Sequence, residues 1–186
     1  MSGRDFTTET STGGGRPWTI RRAVESDATR LAPFAARVFY ETFAALSDPR
    51  DMQLHLESAY AVAHVAAEIR NPRNDYFLAH AGDVLAAYLK LRHGYVPECV
   101  ADRGAFELNQ LYVDFAWHGR GLAADLMELA LAEARRRGYR TLWLGVWEFN
   151  PRARAFYEKC GFRHVGEHPY QFGNDPQTDM VMIRAV

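Results

Sequence analysis

Three places in this chain have residue types and spacing that suit chemistry. The first is His118-Gly119-Arg120-Gly121-Leu122-Ala123. Its glycines let the backbone approach a ligand, and the residues after them begin a helix. The N–H groups of a first helical turn have no intrahelical partner and sit at the positive end of the helix dipole. Together these make an anion site suited to phosphate or pyrophosphate. The second is Glu107, six residues before Val113 at the head of the strand that feeds the turn. Partial burial would raise its pKa; a strand-end carboxylate in solvent would keep an ordinary one. The third is Tyr157, beside Phe156 on a later helix. A phenol with a pKa of about 10 is protonated at neutral pH and can donate, or the pair is simply aromatic core.

The turn fits some anion chemistries better than others. A Walker-type phosphate loop requires G-x-x-x-x-G-K-[ST], and no Lys-Ser or Lys-Thr follows these glycines. A dinucleotide fingerprint G-x-G-x-x-A is formally present from Gly119 to Ala124. It needs a buried strand running tightly into the turn and an acidic ribose anchor ~20 residues on. Residues 114–118 intervene, and 139–143 read Tyr-Arg-Thr-Leu-Trp. Composition and spacing alone leave an anion-binding turn of backbone donors and small residues, with the anion unnamed. No Cys, His and carboxylate set has ligand spacing, so no metal is expected.

The elements that must position these groups follow from periodicity. The strand from Glu107 alternates Leu108, Gln110 and Tyr112 against Asn109, Leu111 and Val113. The helix after the turn carries Leu122, Leu126, Leu129, Ala130 and Ala134 inward and stops at Gly138. Thr141 to Trp147 forms the next strand. Asn150-Pro151 opens the helix of Tyr157, which carries Ala153, Phe156 and Cys160 on one face and ends at Gly161.

Upstream, Trp18 to Arg22 reads as a first strand. Ser26 and Asp27 cap a helix with Leu31, Phe34, Ala35, Val38, Thr42, Phe43 and Leu46 at helical spacing. Pro33 inside it, at about 3 kcal/mol, predicts a kink or restart. Asp48-Pro49 starts a second helix; Val62, Val65, Ala66 and Ile69 mark a further one, stopped at Asn71-Pro72. A hairpin follows, 75–81 and 84–92 about Gly82-Asp83. Residues 93–105 read as a loop placed to lie over a site. Residues 162–172 and 178–183 are strand-like, joined by Gly173-Asn174-Asp175-Pro176. This pattern predicts an α/β (α+β) fold, a mixed central sheet with helices on both faces.

One domain accounts for 186 residues, with 1–16, rich in Gly, Ser and Thr, as a disordered tail and 17–186 as the folded part. Lys and Arg number 22 against 23 Asp and Glu, a net charge of −1 that argues against nucleic-acid or anionic-membrane partners. No apolar run approaches the ~20 residues of a membrane span, and no signal-peptide region opens the chain. Cys99 and Cys160 build no disulfide framework, so a reducing cytoplasm is the expected setting. A monomer or homodimer is expected.

Several stretches resemble one family. His118 to Ala123 resembles the Q/R-x-x-G-x-G/A motif of the GNAT superfamily of N-acetyltransferases, with His118 where Gln or Arg is usual. WLGVWEFN at 143–150 and ARAFYEKCGF at 153–162 are similar to the superfamily's second half. GEH at 166–168 and GNDPQTDMVM at 173–182 resemble the PaiA-type polyamine N-acetyltransferases, as do Glu41-Thr42-Phe43 and YLKLR at 88–92. The likeness spans roughly residues 18–185.

The resemblance implies a GNAT fold of about seven strands, in which the central strand and its neighbour splay and the acyl-pantetheine arm of acetyl-CoA lies in the gap. By that likeness Leu111, Tyr112 and Val113 offer backbone groups to the arm. His118, Gly119, Arg120, Gly121, Leu122 and Ala123 take the pyrophosphate, and Asn150, Ala153 and Tyr157 contact the cofactor. Tyr157 becomes the general acid for the departing thiolate and Glu107 a candidate general base, direct or through water. Asn150 before Pro151 suits a plain N-cap equally well.

The implied activity is acyl transfer from acetyl-CoA to a primary amine, with a polyamine such as spermidine or spermine as first choice. Cation recognition needs acidic or aromatic surface. Tyr40, Glu41, Phe43 and Glu148 are candidates, together with Glu167, Asp175 and Asp179. Each has a plain alternative: the first-helix aromatics as core, Asp175 and Asp179 as shapers of the last turn. His168 reads as a core or hairpin histidine. The competing functions are a non-catalytic sensor of acetyl-CoA or polyamine and a GNAT enzyme acting on a peptide or another small amine.

Overall fold

A computed structural model of the chain describes residues 15–172 and 175–186. Residues 1–14, most of the expected tail, and Gly173-Asn174 of the expected last turn lie outside the described residues. Arg16, which composition alone assigns to the tail, pairs with Asp125 at 2.8 Å.

β1 (Thr19–Arg22) leads into α1 (Ala28–Phe43), α2 (Pro49–Ala59) and α3 (Val62–Arg70). Next come β2 (Asn74–Ala81), β3 (Val84–Arg92) and β4 (Phe106–Val113), then α4 (Leu122–Arg136), β5 (Thr141–Trp147), α5 (Pro151–Lys159), β6 (Arg163–Phe172) and β7 (Asp175–Ala185). The described strands form one seven-stranded mixed sheet, in the order β1-β2-β3-β4-β5-β7-β6. Only the β4–β5 pair is parallel among them.

Helices cover both faces. On one, Leu122, Leu126 and Leu131 of α4 and Tyr157 of α5 pack on Leu89, Phe106, Leu108, Leu142, Leu144 and Val146. On the other, Leu31, Phe34, Val38 and Phe39 of α1 and Val65 of α3 meet Tyr76, Leu78 and Tyr88. Covering on both sides is why β3 is buried at successive positions instead of alternating. The 93–105 loop closes the rest of that second face, with Val100 and Ala105 on Trp143 and Val181.

Three expectations need correction. α1 runs through Pro33 without a restart. Pro33 faces solvent, and the same helix buries Leu31, Phe34, Val38 and Phe39. At about 1.5–3 kcal/mol for each, that burial exceeds the roughly 3 kcal/mol cost of an internal proline. Leu46, expected inward, is 66% exposed in a one-turn extension past α1. β7 begins at Asp175, so Asp175 and Pro176 already pair with Phe172 and Gln171. Asp179 is therefore a strand residue, opposite Trp147 on β5 and His168 on β6, not a shaper of the turn.

Two irregularities prepare the site. Lys90 pairs with Gln110 but Leu91 with Leu108, which leaves Asn109 as the extra residue of a bulge. Simple alternation in β4 fails there: Leu108 and Leu111 both pack toward α4, while Tyr112 joins the opposite core. In addition, β4 and β5 pair only at Phe106↔Leu142 and Glu107↔Trp143. Beyond those pairs β4 stays with β3 and β5 with β7, and the two strands part.

Candidate active site

The parted strands open a cavity of about 390 Å³ lined from both faces of the sheet. Leu111, Val146, Asn150, Ala153 and Tyr157 line it from the α5 side. Phe43, Tyr60, Tyr112, Trp147, Tyr170 and Phe172 add aromatic walls.

The glycine turn lies before α4. Gly119 and Gly121 have φ of 73° and 93°, a left-handed backbone that costs a residue with a side chain roughly 1–2 kcal/mol. Gly121 is the N-cap of α4 and no side chain caps the helix. Its first-turn N–H groups are thereby left for a ligand, and Gly119 has open space where a Cβ would be. Asp125 in this first turn would repel an anion, but Arg16 and the Trp18 indole N–H, at 2.8 and 2.9 Å, hold one oxygen each. These features fit a pyrophosphate.

His118 acts within the protein. Its Nε2 lies 2.8 Å from the Val113 carbonyl and its Nδ1 2.6 Å from Arg152 Nη2. A carbonyl only accepts and a guanidinium only donates, so the ring carries its proton on Nε2. The imidazole thus ties the end of β4 to α5. It also occupies the Val113 carbonyl expected to face the pantetheine arm; Leu111 and Tyr112, not Val113, line the cavity.

Tyr157 is 8% exposed, and burial pushes its phenol well above the ordinary value. It stays protonated, as a proton donor must. Asn150 does both things open to it: Oδ1 accepts from the Ala153 N–H at 3.0 Å, capping α5, and the residue lines the cavity.

Glu107 is not a solvent carboxylate. It is 4% exposed and borders the cavity. Arg92 donates to its two oxygens at 2.5 and 2.9 Å, and Asn109, presented by the bulge, donates at 2.8 Å. Nearby, Lys90 donates to Glu68 at 2.6 Å. Burial lowers the Lys90 pKa and Glu68 opposes that shift.

Asp179 differs. It makes no ion pair among the described residues, and burial pushes its carboxyl up to about 6. Its Oδ2 lies 2.9 Å from where a Cβ on Gly145 would sit, so only glycine on β5 leaves it room.

The substrate candidates separate in space. Phe43 lines the cavity. Tyr40 is 53% exposed and Glu41 pairs with Arg37 on the outside of α1. Glu148, Glu167 and Asp175 are exposed as well, and none lines the cavity. Arg92, Asn109, Tyr60, Trp147 and the Lys90–Glu68 pair are site-lining residues that the sequence reading does not single out. Gly145 is a legible signal for Asp179 alone: a glycine within a bulky strand marks a close approach. Among the described residues, no group of three His, Cys, Asp or Glu is placed to hold a metal ion.

Comparison with known proteins agrees with this geometry. Residues 37–162 match the acetyltransferase (GNAT) family. An uncharacterized N-acetyltransferase in the pepI 3' region of Lactobacillus delbrueckii subsp. lactis is 30% identical over 90% of this chain and 96% of its own. An uncharacterized N-acetyltransferase of Mycobacterium tuberculosis is 32% identical over 86% of this chain and 97% of its own. The fold is similar to that of the PaiA N-acetyltransferase from Thermoplasma acidophilum in complex with coenzyme A, with a TM-score of 0.73 and 18% identity over 91% of this chain and 99% of that one. The chain belongs to the GNAT acetyltransferase family. It is an acyltransferase that takes acetyl-CoA as its donor.

Proposed function

We propose that the enzyme acetylates a small primary amine entering the cavity from the α1–α3 side. The observation that carries this reading is the cavity itself, which brings Tyr157 together with an acidic, aromatic chamber across the splayed strands. Acetyl-CoA supplies an activated acyl group and a thiolate leaving group. The turn before α4 takes the pyrophosphate, while Leu111, Asn150 and Ala153 flank the arm. Tyr157, held protonated by burial, donates to the sulfur as the carbon–sulfur bond breaks. Glu107 remains a candidate base, but Arg92 and Asn109 already occupy its oxygens. A polyamine such as spermidine or spermine is the acceptor that the sequence resemblance nominates. The free thiols Cys99 and Cys160 fit a cytoplasmic setting.

The test is thiol release from acetyl-CoA across a panel of amines. Tyr157→Phe should lower kcat about 10²–10⁴-fold, with acetyl-CoA affinity unchanged. Unchanged kcat would remove Tyr157 from its role. Tight acetyl-CoA binding with no turnover on any amine would favour the sensor.

A further inference from the structure

Three carboxylates border the cavity: Glu68, Glu107 and Asp179. The first two face cations, the buried Lys90 and the half-exposed Arg92, at hydrogen-bond distance. Asp179 has no such partner among the described residues, so one negative charge in the chamber is uncompensated. An ionised carboxylate in this position is costly unless something cationic joins it. Its surroundings suit an ammonium with an apolar body. Phe43, Tyr112, Trp147 and Tyr170 line the same cavity, and aromatic faces attract cations. Tyr112 connects this group to the acid: its phenol is pushed up by burial and then by several neighbours, which include both Tyr157 and Asp179.

Resting on the proposed amine acetylation, we propose that Asp179 binds the acceptor's ammonium group and takes its proton, and that the chamber selects amines bearing one positive charge on an apolar or aromatic body. One ammonium proton passes to an Asp179 oxygen and frees the nitrogen lone pair. The nitrogen then bonds to the acetyl carbon, the carbon–sulfur bond breaks, and the sulfur takes its proton from Tyr157. The second proton on nitrogen leaves to solvent, and both side chains regain their starting states by exchange with water. A polyamine carries further charges that the chamber does not match, because the remaining carboxylates are already neutralised.

The other titratable groups lining the same cavity are Lys90 and Arg92, each already paired with a carboxylate, the phenols of Tyr60, Tyr76, Tyr88, Tyr112, Tyr157 and Tyr170, and the imidazoles of His55, His64 and His168. Burial lowers the His55 pKa, so it brings no cation at neutral pH, and pushes Tyr170 up to about 12, so it brings no anion.

The experiment compares wild type, Asp179→Asn, Asp179→Glu and Glu107→Gln with 2-phenylethylamine, n-hexylamine and spermidine. Two readouts are used: thiol release from acetyl-CoA, and calorimetric amine binding in the presence of coenzyme A. Wild type should prefer the two monoamines over spermidine by about tenfold or more in kcat/KM. Asp179→Asn should lower kcat/KM about 100-fold or more and abolish monoamine binding, with acetyl-CoA affinity within about twofold. The acidic limb of the wild-type kcat/KM profile should fall with a midpoint near the Asp179 value of about 6. Glu107→Gln should keep that limb, and Asp179→Glu should recover part of the activity. Spermidine preferred tenfold, or amine binding intact in Asp179→Asn, overturns the inference and leaves amine acetylation standing. Loss of the limb in Glu107→Gln with its retention in Asp179→Asn returns the base role to Glu107. Amine binding without turnover in wild type would sink the acetylation reading and spare the ammonium site.

Discussion

On the α4–α5 face, the chain offers a ligand chiefly main chain: two left-handed glycines, an uncapped helix start and the free edge of β4. On the α1–α3 face it uses side chains drawn from separate elements, among them Phe43, Glu107, Trp147 and Asp179. The first kind of site depends on small residues in sequence and leaves a contiguous motif. The second depends on which strands are neighbours and which face each residue takes, and leaves none. Tyr157 stands where the two meet.

The contrast can be broken most directly at the turn. Gly121→Asp puts a side chain on a φ of 93° and a negative charge in the anion cradle. Acetyl-CoA affinity should fall at least about 100-fold, given 1–2 kcal/mol of backbone cost plus repulsion. Calorimetry checks it, and affinity within about threefold of wild type would mean that the turn does not hold the phosphates.

Next in size is the Arg92–Glu107 pair. Arg92→Ala leaves Glu107 buried with Asn109 as its remaining donor. Removing one partner of a buried pair costs about 3–5 kcal/mol; with Arg92 itself 37% exposed, roughly 2–3 kcal/mol is expected. Denaturant unfolding measures it. Arg92→Ala with Glu107→Gln should recover about half of that loss, since no charge is then stranded.

Asp179 should show the opposite sign. Its carboxyl, raised from 3.8 to about 6, holds its proton more firmly in the folded chain than in the unfolded one. The stabilisation from this protonated state is full below about pH 4 and lost as pH rises through about 6. Asp179→Asn should therefore be more stable than wild type at pH 8, by on the order of 1–3 kcal/mol, and equal to it near pH 4. At about 2–4 °C per kcal/mol for a chain of this size, thermal melts across pH resolve the trend. A flat difference would refute it. The smallest effects belong outside the cavity: Tyr40→Ala and Glu148→Gln should leave amine KM within about twofold, and a larger change would extend the acceptor site to the surface.

Much of the fold was readable because local rules and burial agree. Asp48 caps α2, Gly82 turns the β2–β3 hairpin at φ 58°, and Gly138 ends α4 at φ 78°, each where its residue type suggested. Pro33 misled because propensity is local while α1 is held by its packing. The glycine turn, Asn150 and Tyr157 were legible as residues, since each is placed by its own helix. Asp179 was visible as a cation-binding candidate, with turn shaping as its alternative, and Tyr40, Glu41 and Glu148 were grouped with it on residue type alone.

The sequence by itself therefore determined the strand–turn–helix with its glycines, the capped helix of Tyr157 and the family, because backbone geometry and spacing are short-range properties. Tertiary structure decided the cavity between the parted strands. The bulge at Asn109 turns Glu107 and Tyr112 to one side, the parting of β4 from β5 makes the space, and β7 inserted between β5 and β6 carries Asp179 over Gly145. Each of these rests on pairing between distant segments, where neutralisation by Lys90 and Arg92 leaves one carboxylate without a cation.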